Sequence, residues 1–278
     1  MTFLAHAAAH GLIINDLIPD GRWHRVPTED KPRKKNGVYL WNGQTGVVKN
    51  WATMGGFSRY PQAGEKAARI DFDALRKAKE RADREEAQKH ARTAQEASRA
   101  ILQTEVAEHP YLKAKGFPDA KGLVKDGALL IPMRDYKTKQ VISLQTIQPD
   151  GTKKFLYGGR TKGAVFVLGN KYGAEKWLVE GYATGLSVQQ ALAAMYRNAE
   201  VWVCFSASNL AYVAERIGGE RYVVADNDES KAGQEAAEST GLPWVMSPVV
   251  GEDANDFARR ETVWGLVRLL RGVDSLKK

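Results

Sequence analysis

Three short acidic strings in the last hundred residues hold the groups most able to do chemistry. Glu180 lies in Leu178-Val179-Glu180-Gly181-Tyr182-Ala183-Thr184-Gly185, Asp226 and Asp228 in Val224-Ala225-Asp226-Asn227-Asp228, and Asp253 and Asp256 in Asp253-Ala254-Asn255-Asp256-Phe257. Each string follows a short run rich in β-branched or aromatic residues, so each acid is expected just past a strand end. Carboxylates gathered on one edge repel one another unless a cation lies between them. A few hard oxygen ligands suit Mg²⁺ or Mn²⁺, which keep waters and bind substrate phosphates. The chemistry that follows is metal-assisted attack at phosphorus. Asp228 or Asp256 taken alone reads as a helix N-cap. Glu180, Asp226, Asp228 and Asp256 taken together read as a metal-binding set. The lone cysteine, Cys204, rules out an intramolecular disulfide and a cysteine-based zinc ribbon, so no zinc is expected and a reducing cytoplasm is.

Strands and helices alternate from Glu175 onward. Trp177-Leu178-Val179 precedes a helix carrying Val188, Ala191, Leu192 and Met195 at helical spacing. Val201–Phe205, Tyr222–Ala225 and Pro243–Met246 precede further helices, the last with Val263, Leu266, Val267 and Leu270 on one face. Four such units predict an open, mainly parallel α/β sheet over 175–278, with functional groups at the carboxyl ends of its strands. Residues 108–174 read as a compact, mostly β subdomain with basic loops. Between Glu65 and Glu108 there is neither Pro nor Gly, and alanine and charge dominate, so 63–107 reads as a charged helical linker with a weak face of Ala67, Leu75, Ala78, Ala82 and Ala87. Residues 1–62 read as a small turn-rich β module, opened by a short helix within 2–16.

The formal net charge of +8 is unevenly spread. Residues 1–60 carry eight basic side chains against four acidic and 108–175 twelve against six, whereas 176–278 carry eleven against fourteen. A basic body beside an acidic unit suits a phosphate polymer held next to a cation site. Arg134, Lys153, Lys154, Arg160 and Lys162 are the candidate contacts to template backbone or triphosphate. Arg33, Lys34 and Lys35, beside Trp41 and Trp51, form a second candidate for DNA binding by charge and stacking, or an exposed turn over a core holding both tryptophans. No apolar run reaches the ~18 residues of a membrane span, and no leader-like start is present, so membrane partners and secretion are not expected.

The three acidic strings, in their order and spacing, resemble the Toprim domain of plasmid- and phage-encoded DNA primases. His109-Pro110-Tyr111-Leu112, Leu130-Ile131-Pro132-Met133-Arg134-Asp135 and Lys153-Lys154-Phe155-Leu156 are similar to the basic subdomain that precedes Toprim there. The resemblance spans about 105–260. It implies that Glu180, Asp226 and Asp228 are catalytic and metal-binding, and that Arg134 and Lys154 are the leading phosphate contacts. Leu17–Arg25 and Trp41…Trp51 resemble the N-terminal module that is a zinc ribbon in many primases, here without its cysteines. His24 is expected to be an ordinary surface or core histidine. The implied activity is synthesis of short RNA primers from ribonucleoside triphosphates on single-stranded DNA. No phosphate-binding G-x-x-x-x-G-K-[ST] string occurs, so a separate replicative helicase is the expected partner. Two other readings stay open: a Toprim nuclease, and an inactive single-stranded-DNA-binding accessory protein.

Overall fold

The computed structural model describes residues 2–61, 72–170 and 172–273. The chain divides into two compact units, Met1–Glu86 and Ala87–Lys278.

In the first unit, α1 (Phe3–Ala9) is followed by an antiparallel sheet in the order β1 (Trp23–Val26), β2 (Gly37–Trp41), β3 (Gly46–Asn50), β4 (Ser58–Tyr60). Helix α1 stops at Ala9 because Gly11 takes a φ of 72° and Leu12 bridges to Thr28. Strand alternation turns Tyr39 and Val48 inward, where they are buried with Phe3, Ala7 and Leu12. Trp41 joins this core, stacked on Phe3 at 4.5 Å, whereas Trp51 stays exposed. The two tryptophans therefore do not share a core. His24 bonds Asp20 at 2.8 Å, as an ordinary surface histidine does.

Helix α2 (Phe72–Leu102) fills most of the expected linker. Residues 62–71, with Ala67, and the side chains of Leu75 and Ala78 lie outside the described residues. The last turns of α2 belong to the second unit: Ala97 packs with Ala128, Leu130 and Leu144, and the Thr93 hydroxyl donates to the Tyr157 carbonyl. The end of the expected linker is a strand, β5 (Glu105–Glu108).

The second unit continues with α3 (Pro110–Ala114), β6 (Lys121–Lys125), β7 (Ala128–Asp135), β8 (Val141–Ile147), β9 (Lys153–Phe155), β10 (Ala164–Gly169), β11 (Glu175–Val179), α4 (Tyr182–Ala194), β12 (Ala199–Val203), α5 (Ala207–Ala214), β13 (Glu220–Ala225), α6 (Ala232–Thr240), β14 (Trp244–Met246) and α7 (Ala254–Arg271, broken at Thr262). One sheet of ten strands runs in the order β14-β13-β11-β12-β10-β7-β6-β5, with β8 and β9 added beside β7. It is parallel from β14 to β12 and antiparallel beyond, so no break in the sheet separates 108–174 from 175–278.

The period of two along the parallel strands sorts the core. Trp177, Val179, Val201, Val203, Tyr222 and Val224 face one side with residues of α4 and α7, and Leu178, Trp202 and Val223 face the other with those of α5 and α6. Right-handed crossovers require this, because β11→β12 runs in one direction along the sheet and β12→β13→β14 in the other. Helices leaving β11 and β13 therefore part to opposite faces, and a crevice opens between the carboxyl ends of those two neighbouring strands.

Candidate functional site

The acids gather at that crevice. β11 and β13 are in register through Val179↔Val224, so Glu180 and Asp226 emerge from adjacent strand ends. The Glu180 carboxylate accepts a hydrogen bond from the Ala207 N–H at the start of α5, yet its pKa is raised, by burial first and by the Asp228 charge second, with Lys153 opposing. Asp226 is pushed up to about 7 by burial, then by Asp253 and Glu180, again against Lys153. Its Oδ1 is buried without a hydrogen-bond partner. Asp228 sits more openly, and bonds from the Ser230 hydroxyl and the Ala232 N–H outweigh its partial burial and hold its pKa low.

Asn227, between the two aspartates, ties the next loop to the site. Its backbone bridges Glu252, and its Nδ2 donates to the Ser247 carbonyl at 2.9 Å. That loop delivers Asp253, whose Oδ1 caps α7 by accepting from Asn255 N–H at 2.7 Å and Asp256 N–H at 2.9 Å. Asp253 is thus the fourth acid of the cluster, and the carboxylate whose charge acts most on Asp226. Asp256, one helical step further on, turns away to pair with Lys115 at 3.5 Å. The capping position and the cluster position, weighed for Asp256 from the sequence, both fall to Asp253.

Strand geometry divides the basic candidates. On β9, Lys153 pairs with Ile147 and Lys154 with Thr146, so the two lysines point to opposite faces. Lys153 shares the face of Ile147 and Tyr111, its Nζ 5.8 Å from the Tyr111 ring, and is the cation acting on both Glu180 and Asp226. Lys154 lies on the α2 side, away from the acids. Arg160 is held by Asp135 at 2.5 Å, and Asp135 also accepts from Lys137 and Thr138 N–H groups. Lys162 sits over the Tyr212 ring at 4.7 Å. Arg134 donates to the Lys139 carbonyl at 3.2 Å and lines a cleft of about 450 Å³ with Lys139, Glu200 and Trp202, on the face covered by α5 and α6. Lys153 is thus the candidate whose charge acts on Glu180 and Asp226, while Arg160 is engaged by Asp135 and Lys162 by the Tyr212 ring. In the first unit, Arg33, Lys34 and Lys35 are exposed on the turn before β2.

Two residues at the site carried no assigned role from sequence. Asp253 is one. Tyr111, in α3, is the other: its hydroxyl is buried and unpartnered, and its pKa is raised by burial, then by Asp253, Tyr182 and Asp256. Pro110 directly after a β-conformation His109 signals a helix start there. Nothing local, however, tells that the helix lands beside the start of α7, where Asn255 donates to the Lys115 carbonyl and Lys115 pairs with Asp256. Ser206 is a helix cap, accepting from Asn209 N–H, while buried Asn209 locks the β10 entry to β12 through Gly163, Ala164 and Cys204.

The donor set suits a hard cation. Burial and three neighbouring carboxylates penalise the charge on Asp226, and its unpartnered oxygen lacks what a cation would supply. Among the described residues no three His, Cys, Asp or Glu side chains form a ready-made metal cage. An open acidic edge with one or two direct ligands is the arrangement in which Mg²⁺ keeps waters and takes substrate phosphates. Cys204 is buried and bonded to the Trp202 carbonyl, so it offers no thiolate ligand.

Residues 176–262 match the Toprim domain family. Two proteins named DNA primase TraC, both of Escherichia coli, are 34% and 31% identical to the chain over 221 residues, 72% of its length. The chain spans only 20% and 14% of those relatives. The primase fragment of the bacteriophage T7 primase-helicase is 18% identical, covering 58% of this chain and 69% of its own, at a TM-score of 0.41. Among the described residues no helix is long and apolar enough to cross a membrane. The acidic crevice between β11 and β13 thus lies in a Toprim domain, on a chain related across most of its length to DNA primases of the TraC kind.

Proposed function

We propose that the chain is a DNA primase, joining ribonucleoside triphosphates into short primers on a single-stranded DNA template by metal-dependent nucleotidyl transfer. The observation that carries this reading is the buried, unpartnered carboxylate oxygen of Asp226 among Glu180, Asp228 and Asp253, with Lys153 facing them. Glu180, Asp226 and Asp228 hold Mg²⁺ or Mn²⁺, and Asp253 adds negative potential. When bound, the cation neutralises phosphate charge and supports in-line displacement. Lys153 offers a point charge to the triphosphate beside it. Tyr111 donates its hydroxyl into the same space, where an acceptor oxygen of substrate or of an ordered water would satisfy it. Glu180, raised by burial, is suited to take a proton at the attacking hydroxyl. Arg134, Lys154, Arg160 and Lys162 serve the template backbone. Asp256 steadies the site through Lys115 rather than as a ligand. A separate helicase supplies the single strand, and the reaction takes place in the cytoplasm.

The test is incorporation of labelled ribonucleotides on unprimed single-stranded DNA with Mg²⁺ or Mn²⁺, run beside Asp226→Ala. Short products lost in the variant support the proposal. Template degradation lost in the variant replaces it with a nuclease. Neither reaction on any template, with the fold intact, leaves an accessory binding protein.

A further inference from the structure

The outer face of the first unit's sheet is built unlike a solvated surface. Strand alternation and register put Trp23 and Arg25 of β1, Val38 and Leu40 of β2, Val47 and Lys49 of β3, and Arg59 of β4 on one side, opposite the buried Tyr39 and Val48. Three of these are cations and none is an acid. Trp51 and Phe57 flank this face from the β3–β4 connection, and Trp23, Trp51 and Phe57 are 53%, 50% and 52% exposed. Their rings form a chain, Trp23 to Phe57 at 5.4 Å and Phe57 to Trp51 at 6.3 Å, with Lys49 Nζ 4.1 Å from the Trp51 ring. Half-exposed aromatic rings in contact with one another are costly in water and mark an interaction surface. Rings interleaved with cations and free of acids match one occupant, an unpaired polynucleotide: bases stack on the rings while Arg25, Lys49 and Arg59 follow the phosphates.

We infer that this face binds single-stranded DNA through Trp23, Phe57 and Trp51, with the exposed Arg33-Lys34-Lys35 turn in a lesser, purely electrostatic part. Such contacts tolerate any sequence, because every base has a face to stack. The site needs no metal and uses none of the residues of the acidic crevice, so it does not depend on the primase reading.

The experiment uses the full chain, a labelled oligothymidylate and fluorescence anisotropy in the presence of chelator. Trp51→Ala should weaken binding about tenfold, and a Trp23→Ala/Phe57→Ala double variant by more, while Trp51→Tyr retains most of the affinity. Because these rings are half-exposed, thermal melting should match the parent; where it does not, the Trp51→Tyr comparison still decides. Arg59→Gln should lower the slope of log K against log salt by about 0.7. Photo-cross-linking of iodouracil-substituted DNA should mark peptides carrying Trp23, Trp51 or Phe57. Unchanged affinity in both alanine variants, or cross-links confined to residues 87–273, overturns the inference. So does an affinity for oligouridylate or duplex far above that for single-stranded DNA, and so does a dimer lost in Trp51→Ala while DNA affinity holds. Binding that is unaffected by Asp226→Asn keeps this result distinguishable from failure of primer synthesis.

Discussion

The Asp226 carboxylate concentrates the tension of the site in one residue. Its pKa of about 7 stands above the ordinary 3.8, so between those values the folded chain retains a proton that the unfolded chain has released. Stability then falls as pH rises through that window. With chelator present, Asp226→Asn should be more stable than the parent at pH 8 by on the order of 2 kcal/mol, and the gap should close below pH 4. Urea unfolding at the two pH values reads this directly. The same variant should lose primer synthesis, as expected where a site is shaped for a ligand rather than for the fold. Lys153 and Lys154 give a second contrast, since adjacent strand residues face opposite ways. Lys153→Ala should lower nucleotide incorporation at least tenfold, with a raised apparent KM for triphosphate. Lys154→Ala should leave that KM nearly unchanged.

Close approach between elements holds the acids in place. Gly233, in the first turn of α6, packs so near β13 that an added Cβ would lie 2.3 Å from the Asp226 carbonyl oxygen. Backbone cannot rotate away as a side chain can, so Gly233→Ala must push α6 off the strand end. A loss of about 1–3 kcal/mol in urea unfolding is expected, together with reduced incorporation. Gly185 does the same for α4, where a Cβ would meet Val203 at 2.7 Å. The second glycine after Glu180 thus serves helix–sheet packing, and Glu180 depends on it indirectly. Asn227 works across elements too, bonding the β14 loop that carries Asp253.

At the scale of the molecule, the two units keep separate cores. One centres on Phe3, Tyr39 and Val48; the other holds Trp177, Val179 and Leu266 on one side of its sheet and Leu178, Trp202 and Val223 on the other. A chain divided into two such units departs from a single two-state transition. Calorimetry of the full chain should resolve two transitions, and Asp226→Asn should move only the one belonging to 87–278. A single transition shifted as a whole would show the blocks to be coupled.

Much of this was legible in the sequence for a physical reason. The alternation of strand-length and helix-length hydrophobic patterns is local, and with right-handed crossovers it dictates an open sheet whose acids lie at the strand ends. The places of Glu180, Asp226 and Asp228 at the strand ends follow from that alone. What escaped depends on phase and on long-range packing. Whether Asp253 or Asp256 completes the cluster is set by which of them caps α7, a matter of one helical turn. Whether Lys153 or Lys154 faces the acids is set by the register of β9 on β8, and a shift of one residue would exchange them. Tyr111 reaches the site from far up the chain, on a helix whose own sequence says nothing of its destination. The aromatic face of the first unit needed four strands in register before Trp23, Trp51 and Phe57 could be seen as one surface. Local pattern decided which elements form and where their ends lie, and only the tertiary structure decided which side chains from distant strands share a face.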